Sequence, residues 1–152
     1  MSASQALTLA DLPKAAQVVA ARLGAFDLRA ALRTVALYLS SQAKLAFVNQ
    51  ASPDGVPWAR FKRPPSVKRG GPSAKLLRDT GILMGSLTGQ TDSGHVEEIT
   101  ATSLRWGTNV RYGAFHQHGT KRMVARPFLG ITPAMLKRIT QILGDALKRA
   151  GK

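Results

Sequence analysis

The sequence contains no cysteine among its 152 residues. Disulfide bonds, thiolate nucleophiles and cysteine-ligated zinc are therefore excluded. Long apolar runs are also missing, since none approaches the roughly 18 to 20 residues that a membrane-spanning helix needs. The first residues lack a basic region followed by an apolar stretch, which is the pattern of an export signal. We therefore expect synthesis in the cytoplasm and no membrane partner.

Acidic residues are scarce, because 8 Asp and Glu stand against 22 Lys and Arg, for a formal net charge of +14. The basic residues form two blocks without any acid, residues 55–78 and 99–144, and Asp79, Asp92 and Glu97 lie with Glu98 between them. A concentrated positive field favours an acidic partner, either nucleic acid or an acidic protein surface. Solubilising surface charge is the simpler alternative.

The spacing of apolar residues predicts helices at both ends of the chain. Residues 27–50 place apolar side chains three and four apart, as in a helix with one buried face. A shorter helix is expected over 11–24, and another begins at Thr132 and Pro133 and ends near Ala150. We therefore expect an N-terminal helix pair and a C-terminal helix packed on a sheet. The length of the chain suits one domain over residues 1–152.

Two short antiparallel strands, over about 95–101 and 103–110, are predicted from β-branched residues bounded by turn signals. The expected fold class is therefore α+β with a small antiparallel sheet. The preceding stretch "AKLLRDTGILMGSLTG" suggests a helix, a turn and a strand, and "GSLTGQTDSG" suggests a hairpin loop. Gly107 is expected to form a β-bulge or to allow the close approach of another backbone.

Residues 51–75 are predicted to form a long loop or arm, because residues 50–73 contain five prolines and three glycines. Loops of this length in compact domains are usually functional or become ordered on a partner. Apolar and basic side chains alternate here, a mixture that docks on protein surfaces. The alternative for Trp58 is that it packs back on the helix pair. The candidate partner-binding residues are Trp58, Arg60, Phe61, Lys62, Arg63, Lys68 and Arg69.

The stretch "WGTNVRYGAFHQHGT" contains two of the three histidines, His116 and His118. On a strand they would share a face and could chelate a metal, but a helix would separate them, and the surrounding block offers no carboxylate as a third ligand. Neither a nucleophile elbow nor a phosphate-binding glycine motif is present. We expect no catalytic residue, no metal and no cofactor. A metal-dependent nuclease built on the two histidines is the enzymatic alternative.

The same stretch favours packing over chemistry. Tyr112, Phe115 and His116 have helical spacing, so a short helical turn ending at Gly119 could bury both aromatic rings while the imidazole forms a local hydrogen bond. Further on, "ARPFLGI" is expected to bring Phe128, Leu129 and Ile131 into the core, with Arg126 and Pro127 turning the chain towards the last helix.

Four stretches in one order carry a resemblance: "FVNQASPDGVPWA", "LLRDTGILMGSLTG", "GTNVRYGAFHQHGT" and "ARPFLGIT". Together they resemble the phage virion morphogenesis family of tailed phages and prophages, the tail-completion proteins of Mu-like phages. The resemblance covers the chain from about Phe47 to the last helix, and the first 25 residues carry no recognisable signature. The structural motif residues in these stretches are Gly81, Gly107, Tyr112, His116, Gly119, Arg126, Pro127 and Phe128.

The resemblance implies a non-enzymatic virion protein at the head–tail neck, a tail-completion or head–tail joining subunit of an oligomeric ring. A hexamer is the expected ring, located in the neck or tail of the virion and assembled from protein made in the host bacterium. Its expected partners are further copies of itself, the tail tube or terminator, and the head connector. Non-specific contact with genomic DNA is the other use of the charge, and we favour protein partners. The alternative function is a small basic DNA-binding domain without catalytic activity, although no helix-turn-helix signature is present.

Overall fold

The structure is a computed structural model and describes residues 26–62, 75–89 and 94–150. Within these ranges the chain forms four helices and a two-stranded antiparallel sheet, which confirms the α+β class. The elements are α1 (Arg29–Asn49), α2 (Ile82–Thr88), β1 (His95–Ile99), β2 (Leu104–Thr108), α3 (Arg111–His118) and α4 (Pro133–Ala150). No helix in the described part of the chain is long and apolar enough to cross a membrane. The helix predicted over 11–24 lies outside the described residues.

Helix α1 packs against α2, α4 and both strands, and it confirms the helix predicted over 27–50. Its apolar stripe is buried, as the spacing required, on Leu32, Val35, Leu39, Ala43 and Phe47. The helix ends at Gln50, whose backbone is left-handed with φ of 54°. The Gln50 side chain then donates hydrogen bonds to the carbonyl oxygens of Phe47 and Leu76, at 2.7 and 3.2 Å. The end of α1 is thereby joined to the segment that precedes α2.

The main core lies around Phe47, which is fully buried. Its ring meets the Trp58 ring edge-on at a centroid distance of 5.6 Å and the Phe128 ring at 5.7 Å. Leu83 and Leu87 of α2 complete this cluster. The expected burial of Phe128 is therefore confirmed.

Helix α2 replaces the strand that the sequence suggested for this segment. Leu83 and Leu87 are four residues apart, so a helix turns both into the core, whereas a strand would bury alternate residues. Gly81 precedes the helix with φ of 76° and Gly89 follows it with φ of 66°, so left-handed glycines define both ends. The hairpin loop expected over residues 85–94 is wrong for residues 85–88, which are helical, and residues 90–93 lie outside the described residues.

Strands β1 and β2 pair in a regular register, with Val96 opposite Gly107 and Glu97 opposite Trp106. Both predicted strands are confirmed, with shorter ends. The bulge or close approach expected at Gly107 is wrong among the described residues, since the pairing is continuous and a Cβ atom there would meet none of their atoms within 4 Å. The close approach occurs instead at Gly113, where a Cβ atom would lie 3.1 Å from Leu83 Cδ1.

Helix α3 forms where the aromatic spacing predicted a helical turn, but it faces the other way. Gly113 is its buried residue, whereas Tyr112 is 40% exposed and Phe115 is 55% exposed. The prediction that the turn buries both aromatic rings is therefore wrong. A glycine on the inner face lets the helix backbone come close to Leu83 and Phe128, and this turns the aromatic side chains outward.

Helix α4 packs against α1 through a second cluster that contains Val35, Leu39 and Met135. The predicted cap is present, because the Thr132 hydroxyl accepts a hydrogen bond from the backbone N–H of Met135 at 3.2 Å. Ile131, which was expected in the core, is an exposed residue just before this cap.

Candidate interaction surface

Arg126 is a buried cation, with only 8% of its surface exposed. Its Nε donates a hydrogen bond to the carbonyl oxygen of Ala59 at 2.8 Å, and its Nη2 donates one to that of Arg60 at 3.3 Å. Its backbone N–H donates to the carbonyl oxygen of His116 at 2.7 Å. One residue therefore joins α3 to residues 59–62, which we call the arm root because the predicted arm continues from there.

The Arg126 guanidinium is held by carbonyl dipoles, and no carboxylate lies within salt-bridge distance among the described residues. Burial lowers the pKa of Arg126 from its ordinary value. Arginine nevertheless keeps its proton at neutral pH. Its Cζ also lies 5.8 Å from the centre of the Phe61 ring, an arrangement that favours a cation–π contact. A positive charge is thus fixed beneath the arm root.

Trp58 is not available to a partner, because it is only 5% exposed. Its indole N–H donates to the carbonyl oxygen of Pro127 at 2.7 Å, and its backbone N–H donates to that of Gln50 at 2.8 Å. This burial contradicts its assignment as an exposed partner-binding residue, and its contact with Phe47 of α1 agrees with the alternative that it packs back on the helix pair, whose first helix lies outside the described residues. The contacts are with Phe47 of α1 and the segment at Pro127, which anchors the chain immediately before the arm root.

Three candidate partner-binding residues do lie on the surface at the arm root. Arg60 and Lys62 are exposed, and Phe61 between them is 41% exposed. Their role in binding a partner stays a prediction. Arg63, Lys68 and Arg69, the other members of the predicted set, lie outside the described residues.

A groove lies between the segment before α2 and helix α3, with a cavity volume of about 340 Å³. Its walls are mostly apolar, and its partly open side is formed by Ile82, 38% exposed, and Tyr112. Gly81 supplies the left-handed turn that shapes one end. The full lining is Leu77, Asp79, Thr80, Gly81, Ile82, Leu83, Tyr112 and His116. Two of the stretches that carry the family resemblance therefore meet at this groove.

His116 forms part of the groove wall. Its ring stands edge-on to Tyr112 at a centroid distance of 6.1 Å, and its Nδ1 is buried without a hydrogen-bond partner among the described residues. The expected local hydrogen bond of the imidazole is thus absent there. Burial, followed by the nearby charge of Arg126, lowers the pKa of His116 from its ordinary value. The lowered pKa favours the neutral imidazole at pH 7, so this part of the groove wall is uncharged although its ring nitrogens remain polar.

His116 and His118 do not point together, since both belong to α3 and residues two apart on a helix diverge by about 200°. Within residues 26–62, 75–89 and 94–150, no group of three His, Asp or Glu side chains is placed to hold a metal ion. This geometry gives the nuclease alternative no support.

Gln117, between the two histidines, is a structural residue that the sequence did not reveal. Its Oε1 accepts hydrogen bonds from the backbone N–H groups of Phe128 and Leu129 at 3.0 Å each, and its Nε2 donates to the Leu129 carbonyl oxygen at 2.7 Å. The segment 126–129 is thereby fixed along α3, with Arg126 in register with the arm root. All three partners are backbone groups at least eleven residues away, so no local pattern indicated them.

Gly119 ends α3 as predicted, with φ of 73° and ψ of 177°. This conformation is essentially restricted to glycine. A Cβ atom would lie 2.8 Å from both Ala125 N and Met123 O, so the following turn also packs directly on this position. The turn brings the chain back to Arg126.

The geometry favours binding, because a mostly apolar groove and a cationic, partly aromatic arm root are connected through the hydrogen bonds of Arg126. The model of the phage virion morphogenesis family matches residues 8–148. This match begins well before Phe47, so it also covers most of the N-terminal residues in which no signature was recognised. Searches of curated proteins and of solved structures found no significant match. Since the family model matches nearly the whole chain, the protein belongs to the phage virion morphogenesis family.

Proposed function

We propose that the protein is a tail-completion subunit that acts at the head–tail neck of a tailed phage or prophage, as one member of an oligomeric ring. Its family membership supports a structural role in virion assembly. The observation that carries the finer proposal is the arm root, which Arg126 fixes to the body while Arg60, Phe61 and Lys62 remain exposed.

A ring subunit needs a rigid body and a separate surface that reaches its neighbour. In this chain the position and direction of the arm root are set by two charge-assisted hydrogen bonds from Arg126 and by the buried Trp58. A segment held in this way loses little conformational entropy when it binds. These features support a subunit that is pre-arranged for assembly, with a hexamer as the expected ring.

The charge of the chain suits acidic protein partners, namely the tail tube or terminator on one side and the head connector on the other. Exposed cations at a rim mainly accelerate encounter and fix register, and their effect weakens as salt is raised. We propose the virion neck as the site of action, with synthesis in the bacterial cytoplasm before assembly.

The proposal is tested by deleting the gene in a phage or inducible prophage and imaging the lysate by negative-stain electron microscopy. Filled heads and complete but unjoined tails should accumulate, and purified protein added to them should restore joined particles. Normal joining without the protein, or tails of abnormal length, would contradict the proposal.

Charge reversal provides a matched comparison in the same assay. Arg60→Glu with Lys62→Glu should reduce joining, while Lys137→Glu with Arg138→Glu, two exposed cations on α4, should have little effect. Equal loss in both double variants would show that total charge matters more than the arm root. A gel-shift with random duplex DNA at about 150 mM salt should show no retention. Retention of DNA without binding to purified neck proteins would overturn the preference for protein partners.

A further inference from the structure

Two surfaces of this chain are complementary to each other. The groove between Gly81 and α3 is apolar with one carboxylate at its rim, and the arm root presents an aromatic ring between two cations. We propose that the groove of one copy is filled by the arm root of a second copy, with Phe61 against Ile82 and Tyr112 and its flanking cations facing Asp79. This contact rests on the ring in the proposed function.

The groove has the character of a protein-binding site. Leu83 forms a buried floor, while Ile82 and Tyr112 stay more than a third exposed beside it. Aromatic and apolar anchors in such pockets contribute most of the energy at protein interfaces. Neutral His116 adds a further wall that a phenyl ring can contact without a cost in charge desolvation.

Phe61 is suited to be the inserted group. The Arg126 guanidinium lies 5.8 Å from the centre of its ring, and 41% of the Phe61 surface is exposed. The ring is therefore placed before it binds, and little rotamer entropy is lost when it enters a pocket.

The two surfaces carry opposite charges at the rim of the groove. Asp79 is the only acidic residue in the groove lining, it is exposed, and its carboxylate has no ion-pair partner among the described residues. Arg60 and Lys62 are exposed on either side of Phe61. Opposite charges at the rim of an apolar contact give orientation and exclude wrong partners. A cation in place of Asp79 would repel Arg60 and Lys62, and it should weaken binding of the arm root to the groove.

The absence of cysteine permits a clean cross-linking test. One preparation carries Lys62→Cys and another carries Thr80→Cys, and the two are mixed, alone and with purified tails, then treated with a short bismaleimide. We expect a covalent dimer in the mixture and little in either preparation alone. Adding Phe61→Ala to the first preparation should lower the yield about tenfold, the size of effect expected for an interface anchor. Val56→Ala, an exposed apolar residue in the same segment, is the matched control and should leave the yield unchanged.

A charge exchange separates specific docking from loss of folding. Asp79→Arg should reduce the cross-link, and adding Arg60→Asp to the Lys62→Cys preparation should restore part of it. A chain with both cysteines that links only within itself, a yield that Phe61→Ala does not change, or cross-linking that survives Asp79→Arg would each overturn the proposed contact.

The doubly substituted chain distinguishes this contact from the proposed function. If the contact repeats around a ring, it should give covalent trimers and larger species on tails. Cross-linked dimers alone would support the contact and contradict the ring. Rings on tails without any of these cross-links would support the ring and contradict the contact.

Discussion

Replacing Arg126 by methionine should release the arm root while leaving the body folded. Methionine keeps an apolar chain in the buried site but removes the guanidinium and both of its hydrogen bonds to carbonyl oxygens. A hydrogen bond to a charged group contributes about 1.5 to 3 kcal/mol. The 2.8 Å bond to Ala59 falls within this range, and the 3.3 Å bond to Arg60 is weaker. Methionine also avoids the free-energy cost of burying a charged guanidinium, and this gain offsets part of the loss. A net loss of about 2 kcal/mol is therefore expected, or about a 30-fold increase in opening of the arm root.

The opening is measured by amide hydrogen exchange over residues 59–62 and by the rate of trypsin cleavage after Arg60 and Lys62. Arg126→Lys should increase exchange and cleavage at the arm root nearly as much as Arg126→Met does, because one ammonium group cannot reproduce the planar pair of donors. Arg122→Met, an exposed arginine in the same segment, is the control. The reasoning fails if exchange at the arm root in Arg126→Met equals that of the unmodified protein, or if Arg126→Lys restores it fully.

Three further predictions concern stability, measured by urea unfolding followed by tryptophan fluorescence. Gly119→Ala should cost about 2 to 5 kcal/mol, since strain in a glycine-only conformation adds to a 2.8 Å clash. Gly107→Ala, whose new Cβ meets no atom of the described part of the chain within 4 Å, should change stability by less than about 1 kcal/mol. A similar cost at both glycines would contradict the geometric argument. Trp58→Phe should cost about 2 to 3 kcal/mol, because it removes the indole donor from a carbonyl oxygen and leaves a gap beside Phe47, and a neutral result would mean that this contact is dispensable. The lowered pKa of His116 means that the unfolded chain binds a proton at this residue more readily than the folded chain does. The contribution of neutral His116 to the free energy of unfolding is therefore complete above the ordinary pKa of 6.5, and it declines as the pH falls below that value. His116→Gln should reduce this decline, His118→Gln should not, and equal profiles for the two variants would refute the assignment.

The sequence predicted the elements whose pattern is long or chemically distinctive. Helix α1 repeats its apolar spacing over 21 residues, and β1 and β2 lie in a region, residues 95–110, that is bounded by turn signals and contains six β-branched residues that include Val96, Ile99 and Thr108. Helix α2 was mistaken for a strand because four apolar residues in a seven-residue segment are too few to distinguish the period of a helix from that of a strand. The helix is favoured over a strand by the contacts of Leu83 and Leu87 with the core, and these contacts form only when the chain folds.

The surface was predicted in part, and the reasons are again physical. Spacing placed Tyr112 and Phe115 together on one face of a helix, but it did not say which face would meet the core, and Gly113 decides this by permitting contact with Leu83. The basic and apolar character of the arm root was visible in the sequence. Its attachment was not, since Arg126 reaches carbonyl groups 66 and 67 residues earlier, and carbonyl groups carry no sequence signal.

Arg126 also has a mechanical consequence. Its main chain is tied to the His116 carbonyl on the groove wall, and its side chain is tied to Ala59 and Arg60, so a single residue spans the receiving surface and the projecting one. Force applied at either surface is transmitted to the other through three hydrogen bonds. Tension on the arm root would therefore reach the wall of the groove within the same molecule, so the two surfaces would be mechanically coupled.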